Sequence, residues 1–324
     1  MRYSALMMCL TITFAIATEP SHKAPVPAHK TEKPDAESAS NEAPAPEIIP
    51  IPHSAPTGKH GIPAPGRRSS STHITKKRST TAHNPSPAPS VHGAPHAGGH
   101  WGYEEGNTGP SSWGNMSPSF SLCTEGKEQS PINITTSYAQ EMEKIKFSYG
   151  MSRITVLNNG HTIQLNIDPG SFIEIMGSKY QLLQFHFHTP SEEAIGGIRY
   201  PMVAHLVHKS EEGKLAVVAA LIQQGTQDNP LIETLWDKMP SEHNETRTFD
   251  KLTYSPAALL PLDQSFYTFM GSLTTPPCSE GVRWLIMKNP LSISARQIAR
   301  FRKEFPMNAR PIQSINARNV MEGM

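Results

Sequence analysis

Gln184-Phe185-His186-Phe187-His188, followed by Ala204-His205-Leu206-Val207-His208, decides how this chain folds. Successive side chains of a β-strand point to opposite faces, so His186 and His188 share one face while Phe185 and Phe187 enter an apolar interior. His205 lies in a second run of the same kind. Two such strands side by side bring three imidazoles together. Three neutral nitrogens with a fourth position open are the ligand set of a catalytic zinc, which lowers the pKa of its water to about 7. A lone histidine in an apolar strand is more often a hydrogen-bonded core residue, but two in strand register and a third on a neighbouring run reverse that balance. His208 supplies the contrast: three residues from His205, it faces the other side of a strand and is excluded from the same metal. A helix would pair the two, but Met202 to Lys209 is too short and too rich in apolar and β-branched residues to favour one.

Outward from these runs, the chain divides by composition. Its 324 residues allow one large domain or two small ones, and a net charge of +1 gives no reason to expect nucleic acid as a partner. Residues 1–17 read as a secretory signal: Arg2, an apolar stretch from Tyr3 to Phe14, then Ala15-Ile16-Ala17 in the small-x-small form of a cleavage site. The stretch is shorter than the roughly 20 apolar residues of a membrane span. Residues 18–99 hold no Trp, Tyr, Phe, Leu, Met or Cys, yet carry 15 of the 30 prolines. Such a segment has too little apolar surface to offset its ordering entropy, which predicts a disordered stalk with polyproline stretches. Nine of the fifteen histidines lie from His22 to His100, irregularly spaced. They leave a loose metal-scavenging role open beside that of a solvated tether. The basic patches Arg67-Arg68 and Lys76-Lys77-Arg78 suit contact with an anionic cell surface or wall polymer.

Residues 100–324 read as one globular domain. Short apolar or alternating runs dominate: Arg153–Leu157, His161–Ile167, Phe172–Met176, Gln181–His188, Val203–Lys209, Leu215–Gln224, Phe266–Met270 and Val282–Met287. Turn signals such as Asn158-Asn159-Gly160 and Asp168-Pro169-Gly170 separate them, which predicts a mainly β (α+β) domain. Two helices are expected. One covers Leu231–Met239 after Pro230; the other starts near Ser294, where Ser294 and Gln297 have capping-box spacing ahead of Ile298, Phe301 and Phe305. With the signal removed, Cys123 and Cys278 remain. An even count in an exported chain favours a disulfide over two free thiols.

Several further motifs join the histidine runs: His100-Trp101-Gly102-Tyr103, Gln129-Ser130-Pro131-Ile132-Asn133, Leu157-Asn158-Asn159-Gly160-His161, Gly271-Ser272-Leu273-Thr274-Thr275-Pro276-Pro277-Cys278 and Asn308-Ala309-Arg310-Pro311-Ile312-Gln313. In this order they resemble the α-class carbonic anhydrases, in particular the secreted bacterial-type members, from His100 to about Asn319. The resemblance implies a single domain around a large, twisted, mostly antiparallel central sheet with short peripheral helices. It also implies a Cys123–Cys278 disulfide and an exported protein, whether periplasmic, on the cell surface or secreted. The activity it implies is reversible hydration of carbon dioxide to bicarbonate by attack of zinc-bound hydroxide. His186, His188 and His205 match the zinc ligands, and Thr274 the residue that orients the hydroxide. Glu192 matches the carboxylate that takes the threonine proton, and His161 the proton shuttle, a role that suits an imidazole with a pKa near 6.5. Tyr103, Asn159 and Gln164 match groups that order the connecting water, and Gln184 the partner of His186. Val207, Val217, Leu273 and Trp284 match the carbon dioxide pocket; by composition they are also ordinary core residues. Thr275 matches the entrance, and the Thr274 amide a substrate oxygen contact.

Two positions depart from that pattern. Val203 stands where many relatives place a Glu that supports the third histidine, and loss of such a partner typically costs 10–100-fold in metal affinity or activity. The place of that partner is open to a water or another side chain, and the expectation is a working but less tightly held zinc. Glu193 stands where a structural His is common, and on a strand Glu192 and Glu193 would face opposite sides. The competing function is a catalytically weak, carbonic anhydrase-related surface-binding module, which the retention of all three histidines disfavours. Sequons at Asn115, Asn133 and Asn244 read as incidental.

Overall fold

The structure is a computed structural model that describes residues 100–323. The secretory signal and the stalk expected over residues 1–99 lie outside the described residues. Its centre is a sheet of 13 strands. Ten follow one another across it: Thr246–Tyr254, Ser152–Asn158, Ile163–Asn166, Ser178–His188, Met202–Lys209, Leu215–Gly225, Glu280–Met287, Phe266–Ser272, Met321–Gly323 and Tyr138–Ala139. Most neighbours run antiparallel. The exceptions are Leu215–Gly225, parallel to both Glu280–Met287 and Leu291–Ser294, and Met321–Gly323, parallel to Tyr138–Ala139. Those crossovers make the sheet mixed.

Alternation along the strands sorts the two faces. Phe185, Phe187, Ala204, Leu206, Ala216 and Val218 enter one apolar cluster, which Ile232, Leu235, Trp236, Ile298 and Phe301 cover from the two helices. Val203, Val207, Val217, Ala219 and Leu221, at the intervening positions, form a second cluster on the other face with Ile132, Trp284 and Ile286. The histidine site lies on this second face, so both sides of the central strands are buried. That explains why Met202–Lys209 and Leu215–Gly225 read as nearly continuous apolar runs.

Both expected helices are present. Pro230–Trp236 begins where Asn229 Oδ1 accepts the N–H groups of Leu231 and Ile232, at 3.0 and 3.2 Å. It ends before the expected Met239, where the chain tightens into i→i+3 bonds: Lys238 N donates to the Leu235 carbonyl at 3.0 Å and Met239 N to the Trp236 carbonyl at 3.3 Å. Ala295–Glu304 starts with the capping box: Gln297 N donates to Ser294 Oγ at 3.2 Å, and Ser294 N to Gln297 Oε1 at 3.4 Å. The strand Thr246–Tyr254 was not anticipated. It pairs on one side only and is largely exposed, so it lacks the apolar alternation that marks the others. A disulfide joins Cys123 and Cys278, with Cα atoms 5.0 Å apart, and packs with Tyr103, Trp113 and Phe120. Among the described residues no helix is long and apolar enough to cross a membrane.

Candidate metal centre

Register brings the three histidines together. His205 pairs directly across from His186 in the antiparallel strands Met202–Lys209 and Ser178–His188, and Val203 pairs with His188. His186 and His188 share the face two residues apart. One ligand atom from each lies within 4.8 Å of the others, and all three side chains are buried. His208 points to the other face as expected; its Nε2 is 2.8 Å from the Tyr149 hydroxyl and the two rings stack.

Each imidazole is held from behind. His186 Nδ1 is 2.9 Å from Gln184 Oε1, and His188 Nδ1 is 2.6 Å from the backbone carbonyl of Asn308. His205 Nε2 lies 3.2 Å from Glu193 Oε2. Carbonyl and carboxylate oxygens only accept, so these three nitrogens carry the protons. That leaves Nε2 of His186 and His188 and Nδ1 of His205 as the coordinating atoms. His188 Nε2 is buried and has no hydrogen-bond partner among the described residues, as a nitrogen reserved for a metal requires. Three neutral imidazoles, each oriented by an acceptor behind it, fit zinc.

The third partner is the other side chain left open by Val203, and its position corrects one expectation. Val203 is indeed buried in the apolar cluster and accepts nothing, yet His205 is not unsupported. Glu192 and Glu193 do not face opposite sides. They belong to an irregular turn after His188, where strand alternation has no force. The turn is pinned by Ser191 Oγ donating to the Glu193 carbonyl at 2.7 Å and by Arg199 donating to the Glu192 carbonyl at 3.1 Å. Both carboxylates therefore converge on one centre. Glu192 Oε2 is 3.5 Å from His188 Nε2 and 3.7 Å from His205 Nδ1, while its Oε1 accepts the Arg310 N–H at 2.8 Å. Burial opposes charge on His205, but Glu193 and Glu192 outweigh it and raise its pKa. Burial alone dominates at His188, which is pushed down.

Beside the imidazoles a small cavity is lined by His186, His205, Val207, Val217, Leu273, Thr274 and Trp284. Its wall is apolar, and Thr274 supplies the one hydroxyl. Trp284 is fixed by its indole N–H donating to the Ser272 carbonyl at 3.0 Å. Thr275 is buried, and its carbonyl accepts from Cys278 N at 2.9 Å.

The residues matched to the proton path occupy the adjoining side. Gln164 pairs across from His186, is buried, and donates to Asn166 Oδ1 at 2.7 Å. Asn159 Oδ1 accepts the N–H groups of His161 and Thr162, at 3.0 and 2.9 Å, so its carbonyl builds the turn that presents His161. Tyr103 is buried; burial and then the nearby Glu192 carboxylate hold its pKa well above the usual phenol value. His161 departs from the expected pKa near 6.5. Its ring stacks on Trp101, and burial, followed by the neighbouring His100 and His243, pushes it down to about 4.

Two residues with no role read from sequence organise the site. Asn308 donates through Nδ2 to the carbonyls of His161 and Phe187, both at 2.9 Å, while its own carbonyl holds His188. Arg310 is 1 % exposed and donates to Gln129 Oε1 and to the carbonyls of Ser130 and Cys123, at 2.8–2.9 Å. Only their place in the Asn308-Ala309-Arg310-Pro311 motif marked them.

The eukaryotic-type carbonic anhydrase family matches residues 108–324. A carbonic anhydrase of Pectobacterium carotovorum is 42% identical over 223 residues, covering 68% of this chain and 90% of that one. The solved α-carbonic anhydrase of Thermovibrio ammonificans, in complex with the inhibitor sulfanilamide, is 40% identical with a TM-score of 0.67, covering 69% of this chain and all of that one. A dioscorin of Dioscorea polystachya is 36% identical over 234 residues, 67% of this chain and 84% of that one.

Proposed function

The chain belongs to the eukaryotic-type, or α, carbonic anhydrases, and from that premise we propose that it hydrates carbon dioxide reversibly to bicarbonate and a proton, with zinc held by His186, His188 and His205. The observation that carries this reading is three buried imidazoles, each backed by an acceptor, converging beside an apolar wall. When bound, zinc supplies a Lewis acid that yields hydroxide from water near neutral pH.

The chain's own residues divide the rest of the work. Val207, Val217, Leu273 and Trp284 form a wall for carbon dioxide, which carries no charge and asks for few hydrogen bonds. The Thr274 amide N–H donates to a substrate oxygen, and Thr275 lines the approach. Glu192, which matches the family's acceptor for the threonine proton, has a buried Oε2 without a hydrogen-bond partner among the described residues, available to the Thr274 hydroxyl. With its one donor committed there, Thr274 turns a lone pair toward the attacking oxygen and orients it on the carbon. The proton released by the reaction leaves through the His161 imidazole to buffer, along water ordered by Tyr103, Asn159 and Gln164.

The disulfide supports export, and with it the reading of residues 1–17 as a secretory signal, while the proline-rich composition of residues 18–99 supports a spacer toward a surface or wall polymer. Stopped-flow hydration of carbon dioxide by the purified chain, before and after chelation and zinc return, tests the activity. Hydration above the buffer rate, lost on chelation and regained with zinc, is expected. A rate no faster than buffer from the zinc-loaded chain overturns the reading.

A further inference from the structure

Glu193 is fully buried; its Oε2 lies 3.2 Å from His205 Nε2, and its Oε1 has no hydrogen-bond partner among the described residues. It comes from the turn, not from a strand, and is held by Ser191. Ser191 Oγ donates to the Glu193 carbonyl at 2.7 Å and accepts Tyr200 N at 2.9 Å, while Ser191 N donates to the Tyr200 carbonyl at 2.9 Å. This clasp joins the turn to Tyr200, just ahead of the strand that carries His205. On that strand the position two residues before His205 shares its face, and Val203 fills it within the apolar cluster that includes Val207 and Val217. A buried carboxylate is costly unless paired, and the side chain that pairs with Glu193 is His205, through the back nitrogen of a ligand.

We propose that Glu193 is the positioning residue of His205, and that Glu193 and Val203 form a coupled pair in which a carboxylate delivered by the turn takes the place of one delivered by the strand. The assignment rests on reading the three histidines as a metal site. Glu193 fixes the proton on Nε2, turns the Nδ1 lone pair to the metal, and sets the ring angle that the neighbouring Val203 leaves unset. The weaker metal affinity that Val203 alone would produce is thereby offset.

The test uses the full chain as Glu193→Ala, Glu193→Gln and the double variant Glu193→Ala with Val203→Glu. Two readouts are taken on each: zinc affinity by competition with a chromophoric chelator, and the thermal midpoint of the metal-free protein. Glu193→Ala is expected to weaken zinc binding 10–100-fold. Glu193→Gln keeps a carbonyl acceptor and is expected to lose less. The double variant is expected to regain most of the affinity, because a carboxylate again stands behind His205. Unchanged zinc affinity in Glu193→Ala overturns the assignment, as does a double variant that binds zinc no better than Glu193→Ala. A lowered metal-free midpoint with unchanged affinity makes Glu193 structural and also overturns it. Activity is a separate arm. A chain whose affinity follows the expected pattern but whose hydration never exceeds buffer refutes the carbon dioxide reading and supports this assignment. A wild-type chain that takes up no zinc refutes both.

Discussion

Trp101 and His161 lie face to face, their ring centroids 3.7 Å apart and their planes 6° from parallel. The stack half-buries the imidazole and contributes to holding its pKa at about 4, where it accepts few protons at neutral pH. Trp101→Ala should return the His161 titration midpoint toward the ordinary value of about 6.5, read from its ring resonances by NMR. Turnover in weak buffer near pH 7 should rise with it if proton export limits the rate. A midpoint still near 4 would show that Trp101 is not what lowers it.

His208 makes stability depend on pH. Burial pushes its pKa down to about 3, so between that value and about 6.5 the unfolded chain binds a proton that the folded chain refuses. Stability is therefore full above about 6.5 and falls as pH drops toward 3, with His161 pulling in the same direction. The His208 share is on the order of 3–5 kcal/mol at the acid end. Urea midpoints of wild type and His208→Gln, taken from pH 7 to 4, should show a shallower decline in the variant, whatever its stability at pH 7. Parallel declines would remove His208 from this account.

The Cys123–Cys278 bridge spans 155 residues. Closing so long a loop restricts the unfolded chain by the order of 3–5 kcal/mol in the chain-entropy model. Urea unfolding with and without reductant should differ by that amount, and Cys123→Ser with Cys278→Ser should match the reduced protein. A difference under about 1 kcal/mol would mean that native contacts, not the cross-link, hold the Trp113 and Tyr103 segment in place.

Thr274→Val keeps the shape of the side chain and removes its hydroxyl. It should lower kcat/KM for carbon dioxide by about 100-fold while leaving zinc content unchanged, because only orientation of the attacking oxygen is lost. Stopped-flow rates with metal analysis on the same sample read both quantities. A fall in zinc content instead would place Thr274 in holding the metal.

Strand geometry made His186, His188 and His205 legible in the sequence, because three polar imidazoles at period-two spacing stand out within runs that are otherwise almost continuously apolar. It also put His208 on the opposite face. The capping box at Ser294 was equally plain, being a local hydrogen-bond pattern. Alternation failed at Glu192 and Glu193, which lie in a turn pinned by contacts with Ser191, Arg199 and Arg310 that sequence spacing does not encode. The same limit hid the role of Asn308, whose carbonyl reaches His188 across 120 positions. The low pKa of His161 was hidden because it comes from burial and from the nearby His100 and His243, not from the residue type. Thr246–Tyr254 escaped notice since an exposed edge strand needs no apolar face.

The central claim is a three-histidine zinc site with one open position, and zinc-edge X-ray absorption of the purified full-length chain tests it most directly. The account predicts about one zinc per chain, with three imidazole nitrogens at about 2.0–2.1 Å and one further light ligand. Zinc below roughly a tenth of an equivalent, or a closed shell of four imidazoles with a fourth drawn from the histidine-rich N-terminal region, would contradict it.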